Sequence, residues 1–383
     1  MRISIVSTSK CREPARAIWH DPEMSRHAVL LAVGLAACGD PSTTPIDAGG
    51  DGDGGTDAST DGGFDVPLET WTWVDVPGMV CGNGTPTGIA INPSTRSSRL
   101  VIVVEGGGAC WEAANCYGII VPVSAAHLDG FNAQTFAGVR GQFFDSNWAF
   151  QRSEPTSLFG DATWVFVPYC TGDLHAGTRE NVYMALGQSR TMHHKGAMNI
   201  DAMLARIAGY PASEVFAIGI SAGGFGVQLN WDRIAAAFPG RTTHAFADGA
   251  QLVPIESGRW GTMNQVWAPR YPTGCTTCSA RFDNLGAFWR AAAPAGGGRY
   301  ALTNSLQDGV LALFFGYDAA GMRAASLTVG TAMTGTTNAS FMIDNNSHTM
   351  LGAPTTRTST NVELRPWAFA WANGTAAFTT VGP

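Results

Sequence analysis

The chain has 383 residues, 45% hydrophobic and 14% charged, with a formal net charge of −7, which is apolar enough for one large core or two modest ones and excludes a wholly unstructured polymer. The charge is uneven: residues 39–65 hold seven Asp and no Lys or Arg, and from Val66 onward 18 Lys plus Arg stand against 20 Asp plus Glu, a balance of −2. Such a body has no general electrostatic grip on a phosphate backbone, so nucleic acid is excluded as a partner.

Residues 1–23 carry Glu13, Asp21 and Glu23 and fit no signal pattern. They read as an extension ahead of a true start at Met24. Residues 24–38 then give a basic start (Arg26, His27), an apolar run Ala28 to Ala37 and a small-residue site ending at Cys38, the grammar of a secretion signal. Leu35-Ala36-Ala37-Cys38 resembles a bacterial lipobox, so Cys38 is expected to carry a lipid and become the first mature residue. The apolar run is too short to span a bilayer. Residues 39–66 are rich in Asp, Gly, Ser, Thr and Pro, cannot bury enough to offset chain entropy, and read as a disordered tether of about 30 Å mean span. Asp51-Gly52-Asp53 hints at a calcium loop, but no Glu stands at the twelfth position. The expected location is the cell envelope or cell surface through the anchor, or free secretion without it.

The remaining residues, 67–383, read as one domain. Cys81, Cys110, Cys116, Cys170, Cys275 and Cys278 form an even set that an exported chain oxidises to three disulfides. Fifteen pairings are possible; the short spans 110–116 and 275–278 are natural local pairs, leaving Cys81 with Cys170. Apolar runs predict buried strands at Leu100–Val104, Trp164–Val167, Val215–Ile220, His244–Ala247, Tyr300–Thr303 and Ser340–Ile343. Helical spacing predicts Ala197–Ile207 and Phe225–Phe238. Strand followed by helix, repeated, predicts an α/β fold with a mostly parallel central sheet and helices on both faces.

Chemistry falls where strands end. Gly219-Ile220-Ser221-Ala222-Gly223 matches G-x-S-x-G between a strand and a helix, the context of a nucleophile elbow. A serine nucleophile needs donors for a tetrahedral oxyanion. Glu105-Gly106-Gly107-Gly108-Ala109 follows an earlier strand and bares its amides, so Gly107 and Gly108, with Ala222 after the nucleophile, are the expected donors. His348, in the loop after the last strand, is the expected base, because His244 starts a strand and points into packing. Asp308 follows its own strand and keeps the order Ser, Asp, His; Asp248, ending the strand after the nucleophile helix, is the rival acid.

Val104-Glu105-Gly106-Gly107-Gly108, Tyr169-Cys170-Thr171-Gly172-Asp173, Gly-x-Ser221-Ala-Gly-Gly, Asn304-Ser305-x-x-Asp308 and Ser347-His348, in that order, resemble the pectin acetylesterase and Notum family from about Trp71 to the C-terminus. The resemblance implies an α/β-hydrolase-fold carboxylesterase with Ser221, Asp308 and His348 as triad and Gly107, Gly108 and Ala222 as oxyanion hole. Two departures from the family are visible: Ala109, near which an aromatic residue is common, and Thr349 where a Cys commonly follows the catalytic His. A body at −2 also shows no excess of cations for a polyanionic galacturonan.

Trp111, Trp148 and Trp267 could stack on sugars or line an acyl pocket, an ordinary buried Trp being the plainer reading of each. Asp173 and His175 are expected at the rim beside Ser221, in contact with substrate. His193-His194-Lys195 invites a metal reading, but no carboxylate stands at suitable spacing, and a loop or helix start is preferred. The expected function is removal of acyl groups, most plausibly acetyl, from an extracellular carbohydrate or related ester, with no cofactor and no metal. The alternatives are a longer-chain or polyester hydrolase, and a non-catalytic surface binding module on the same fold.

Overall fold

The computed structural model describes residues 64–255, 257–291, 297–333 and 337–383. They fall in one compact unit. Cys38, the signal segment and residues 39–63 of the expected tether lie outside the described residues. The tether's expected end at residue 66 moves back: Phe64 and Val66 are buried, and Phe64 stacks on Tyr210 with ring centroids 5.0 Å apart.

Among the described residues ten strands form, β1 (Thr72–Val80), β2 (Pro86–Asn92), β3 (Arg99–Val104), β4 (Thr163–Val167), β5 (Arg179–Ala185), β6 (Gln188–His194), β7 (Glu214–Ile220), β8 (Thr242–Asp248), β9 (Tyr300–Ser305) and β10 (Asn338–Ile343). The helices among the described residues are α1 (Ala113–Cys116), α2 (Ala133–Arg140), α3 (Gly196–Ile207), α4 (Ala222–Ala237), α5 (Ser257–Trp267), α6 (Asn284–Ala291), α7 (Gly309–Phe315), α8 (Ala319–Thr331) and α9 (Leu364–Asn373). Eight strands make one sheet in the order β1-β2-β4-β3-β7-β8-β9-β10. From β4 to β10 all pairs are parallel; β1 and β2 add an antiparallel edge.

All six predicted strands are present, each lengthened by one to three residues. β3, β4 and β7 to β10 are buried on nearly every residue, which is why they read as unbroken apolar runs. One apolar cluster fills one face of the sheet and joins α3, α4 and α6 to it, and a second, aromatic cluster around Phe216, Phe246, Trp367 and Trp371 joins α9 to the other. Two pairs escaped the reading. β1 is an exposed edge whose register shifts between Asp75 and Val80, around Pro77-Gly78, so its pattern is broken. β5 and β6 form a separate hairpin whose polar alternation carries no core signal, closed by Leu186-Gly187 with φ of 52° and 74°, the tight turn that right-twisted strands favour. His193 and His194 therefore end a strand, not a loop or helix start: His194 is buried between the Thr171 carbonyl and the Tyr183 hydroxyl.

The disulfides are Cys81–Cys170, Cys110–Cys116 and Cys275–Cys278, the pairing expected from spacing. Cys81–Cys170 crosslinks residues 89 apart and pins the β1–β2 turn to the loop after β4. Removing both cysteines by Cys81→Ala with Cys170→Ala is expected to lower unfolding free energy by about 4 kcal/mol through the freed chain, read as a fall in the urea midpoint. An unchanged midpoint would show that the bridge adds nothing.

Candidate active site

The order of the sheet reverses at β3 and β7: the chain leaves β3 for β4 on one side, then returns to β7 and builds toward β10 on the other. A crevice opens beyond the carboxyl ends at such a switch point. Val104 and Gly219 stand opposite each other in parallel register, so the loop after β3 and the turn after β7 leave the sheet side by side.

Ser221 occupies that turn at φ 56° and ψ −123°, a conformation unusual for a residue with a side chain, and its amide donates to the Asp248 carbonyl at 2.8 Å. Gly223 is required because a Cβ there would run into the Val104 carbonyl oxygen of the neighbouring strand. The elbow thus holds the serine side chain above the sheet. His348 Nε2 lies 2.7 Å from Ser221 Oγ, and His348 Nδ1 lies 2.8 Å from Asp308 Oδ2. With Nδ1–H donating to the carboxylate, Nε2 is left as acceptor for the serine hydroxyl.

Asp308 has a second role that its position in the sequence did not announce. It is fully buried and caps α7, its Oδ1 accepting from the amides of Val310 at 3.0 Å and Leu311 at 2.9 Å, while Oδ2 faces the imidazole. The loop after β10 is tied to the loop after β9 by the Leu306 and Gln307 amides, which donate to Ile343 and Asn345 at 2.8 and 2.9 Å. The rival, Asp248, does not reach His348's ring nitrogens. Its carboxylate accepts from the amides of Met350 and Leu351 and from the Thr303 hydroxyl, and burial raises its pKa. It anchors the chain just beyond His348.

The glycine loop passes beside Ser221. Gly108 takes φ 69°, and a Cβ on it would strike the Ser124 carbonyl. Among the described residues, none accepts a hydrogen bond from the amides of Gly107, Gly108 or Ala222, and Ala222 opens α4, where amides have no intrahelical acceptor. Glu105, at the head of this loop, is buried and accepts from the Tyr169 amide at 2.7 Å. Burial pushes its pKa up to about 8.

Asp173 and His175 are not rim residues. Both are fully buried: Asp173 accepts from the Thr171 hydroxyl, the His175 amide and the Gly196 amide, and His175 Nε2 donates to the Glu105 carbonyl at 2.8 Å. Burial lowers the His175 pKa, against the opposing pull of this hydrogen bond. They brace the glycine loop from beneath. Trp111 is likewise buried, edge-on to Phe314 at 5.3 Å, while Trp148 and Trp267 donate from their indoles to the Leu351 and Cys110 carbonyls. His244 is a core residue, as read; burial first, then Arg299, hold its pKa near 3. Glu105, Tyr169 and Asp248 were missed as supports, and only Glu105, a lone carboxylate next to three glycines, carried a signal.

Two cavities meet at Ser221. One, of about 260 Å³, is walled by Val123, Leu174, Phe225, Val310, Leu311 and Phe314 together with Gly108 and Ala222. The other, about 790 Å³ and more open, runs past His348 between Pro122, Ser124, Gln142, Phe143 and Thr349 and has no Lys, Arg, Asp or Glu in its wall.

Residues 62–251 match the pectinacetylesterase family profile. The chain is 24% identical over 238 residues to the palmitoleoyl-protein carboxylesterase NOTUM of Schmidtea mediterranea, covering 55% of this chain and 42% of that protein. It is 26% identical over 163 residues to that of Homo sapiens, covering 41% and 30%. The chain thus spans less than half the length of these curated relatives. A structure of the Wnt deacylase Notum from Drosophila superposes with a TM-score of 0.59 at 17% identity, over 79% of this chain and 93% of that one. The fold is that of the α/β hydrolases.

The Glu105 carboxyl gives a pH signature. Between the ordinary 4.5 and about 8 the folded chain holds a proton that the unfolded chain has lost, so the stability this group contributes at acid pH is lost as pH rises through that window. Glu105→Gln keeps an acceptor for Tyr169. The unfolding free energy of the parent minus that of the variant should fall from pH 5 to 8 and level above it, measured by urea titration at each pH; parallel curves would contradict it.

Proposed function

We propose that this chain is a serine carboxylesterase that removes short acyl groups, acetyl first among them, from the hydroxyls of a neutral extracellular carbohydrate. The carrying observation is the chain of hydrogen bonds from Ser221 through His348 to Asp308, beside three uncommitted amides. In this reading the substrate carbonyl lies over Ser221 with its oxygen toward the Gly107, Gly108 and Ala222 amides. His348 Nε2 takes the Ser221 proton as Oγ bonds to the carbonyl carbon. Asp308 holds the tautomer and stabilises the imidazolium. The same nitrogen returns the proton to the departing alcohol as its C–O bond breaks, leaving an acyl-Ser221. Water then attacks the acyl carbon, giving its proton to His348, and Ser221 leaves with that proton as the free acid forms.

The acyl preference follows from the smaller cavity. The space open to the centre of a water-sized group there is about 20 Å³, against about 10–15 Å³ for one water. A methyl or ethyl fits; a chain of sixteen carbons does not. The uncharged wall of the larger cleft supports a neutral leaving group over a uronate. We further propose that Cys38 carries the lipid and that the following tether holds the domain off the membrane; the three disulfides suit an exported chain.

Against p-nitrophenyl esters, kcat/KM should fall steeply from acetate and butyrate to palmitate. Ser221→Ala should abolish turnover, Asp308→Asn should lower kcat about 10⁴-fold, and Phe314→Ala should shift the optimum toward longer chains. Equal rates on acetate and palmitate would remove the short-acyl reading. Full activity in Ser221→Ala would remove the mechanism.

A further inference from the structure

The catalytic cleft has a neighbour. The π-helical turn Gly141–Asp145 presents Gln142 and Phe143 to that cleft, while Phe144 and Asp145 line a second groove of about 840 Å³. One turn of backbone is thus the shared wall of two grooves.

The second groove has an aromatic floor and a hydrogen-bonding rim. Trp71 packs on Phe144 and Trp164 at centroid distances of 4.3 and 5.7 Å. Among the described residues, nine tryptophan indoles donate to protein acceptors; those of Trp71 and Trp111 do not. Trp111 is buried, whereas Trp71 is half-buried and lines the groove. Around it stand Gln151, Ser153 and Glu154, and among the described residues Glu154 enters no ion pair. The one cation, Arg152, lies 3.8 Å over Trp164 and is committed to Asn92 and the Gly160 and Ala162 carbonyls. Glu69 is paired with Arg96 and Asp145 with Arg140, so the wall holds no uncommitted cation for an anion while it offers a free donor and free acceptors over aromatic surface. That is the chemistry of a neutral polyhydroxylated ligand.

We propose that this groove is a subsite for a neutral glycan, holding sugar units beyond the one whose ester sits at Ser221. The proposal rests on the esterase reading for its placement on the substrate, and its test reads binding separately from hydrolysis. The full chain is titrated with xylohexaose, mannohexaose and hexagalacturonate, followed by tryptophan fluorescence and calorimetry. A neutral hexasaccharide should bind and the galacturonate should not. Trp71→Phe, which keeps ring packing but loses the indole N–H, and Glu154→Ala, on an exposed loop, should each weaken binding about tenfold, the scale of one lost contact. Both should keep kcat/KM on p-nitrophenyl acetate within about twofold of the parent. Binding by neither neutral hexasaccharide, stronger binding of the galacturonate, or unchanged affinity in both variants would overturn the subsite. A protein that binds the glycan yet cleaves no ester would keep the subsite and remove the esterase reading.

Discussion

The parallel pairing of β3 with β7 is the constraint on which the face that carries Ser221 depends. It sets Val104 against Gly219, so the glycine loop and the serine turn emerge less than a side chain apart. That closeness is what demands glycine on both sides, and it is also what brings loop amides and a hydroxyl to one point. The neighbouring pairing of β7 with β8 adds the Asp248 carbonyl that holds the Ser221 amide. Strand order, more than any single side chain, decides what can meet there.

Much of this was legible because it rests on strong local signals. Buried parallel strands leave unbroken apolar runs, and the elbow and glycine loop are bound to particular residue types by sterics. The edge strand β1 and the hairpin β5–β6 were not, since neither buries a continuous face. Asp173 and His175 look like rim chemistry in the sequence because titratable side chains after a strand usually reach solvent. Here the chain turns inward, with Leu174 and His175 both at positive φ, and spends those groups on backbone partners. Nothing in a linear pattern separates a carboxylate that faces a substrate from one that faces amides. Asp308 and Asp248 make the same point, since one follows a strand and the other ends one, and only the three-dimensional path of residues 344–351 decides which meets the imidazole.

The polar residues buried around the site form a support rather than a second reactive centre. Glu105 takes the Tyr169 amide, His175 reaches the Glu105 carbonyl, and Asn230 on α4 donates to the His175 carbonyl at 3.0 Å. This relay joins the helix that begins at the serine to the loop that lies across from it. Each member is buried with its partner, so the loss of one leaves another unsatisfied in a region of low dielectric.

The Asp308 carboxylate carries a last consequence. Its two oxygens are divided between the first amides of α7 and the imidazole, and rotating the group to relax one contact breaks the other. The imidazole therefore meets an acceptor held in one orientation. Under the proposed mechanism, the reorganisation energy that a mobile carboxylate would demand in every cycle is settled once, when the chain folds.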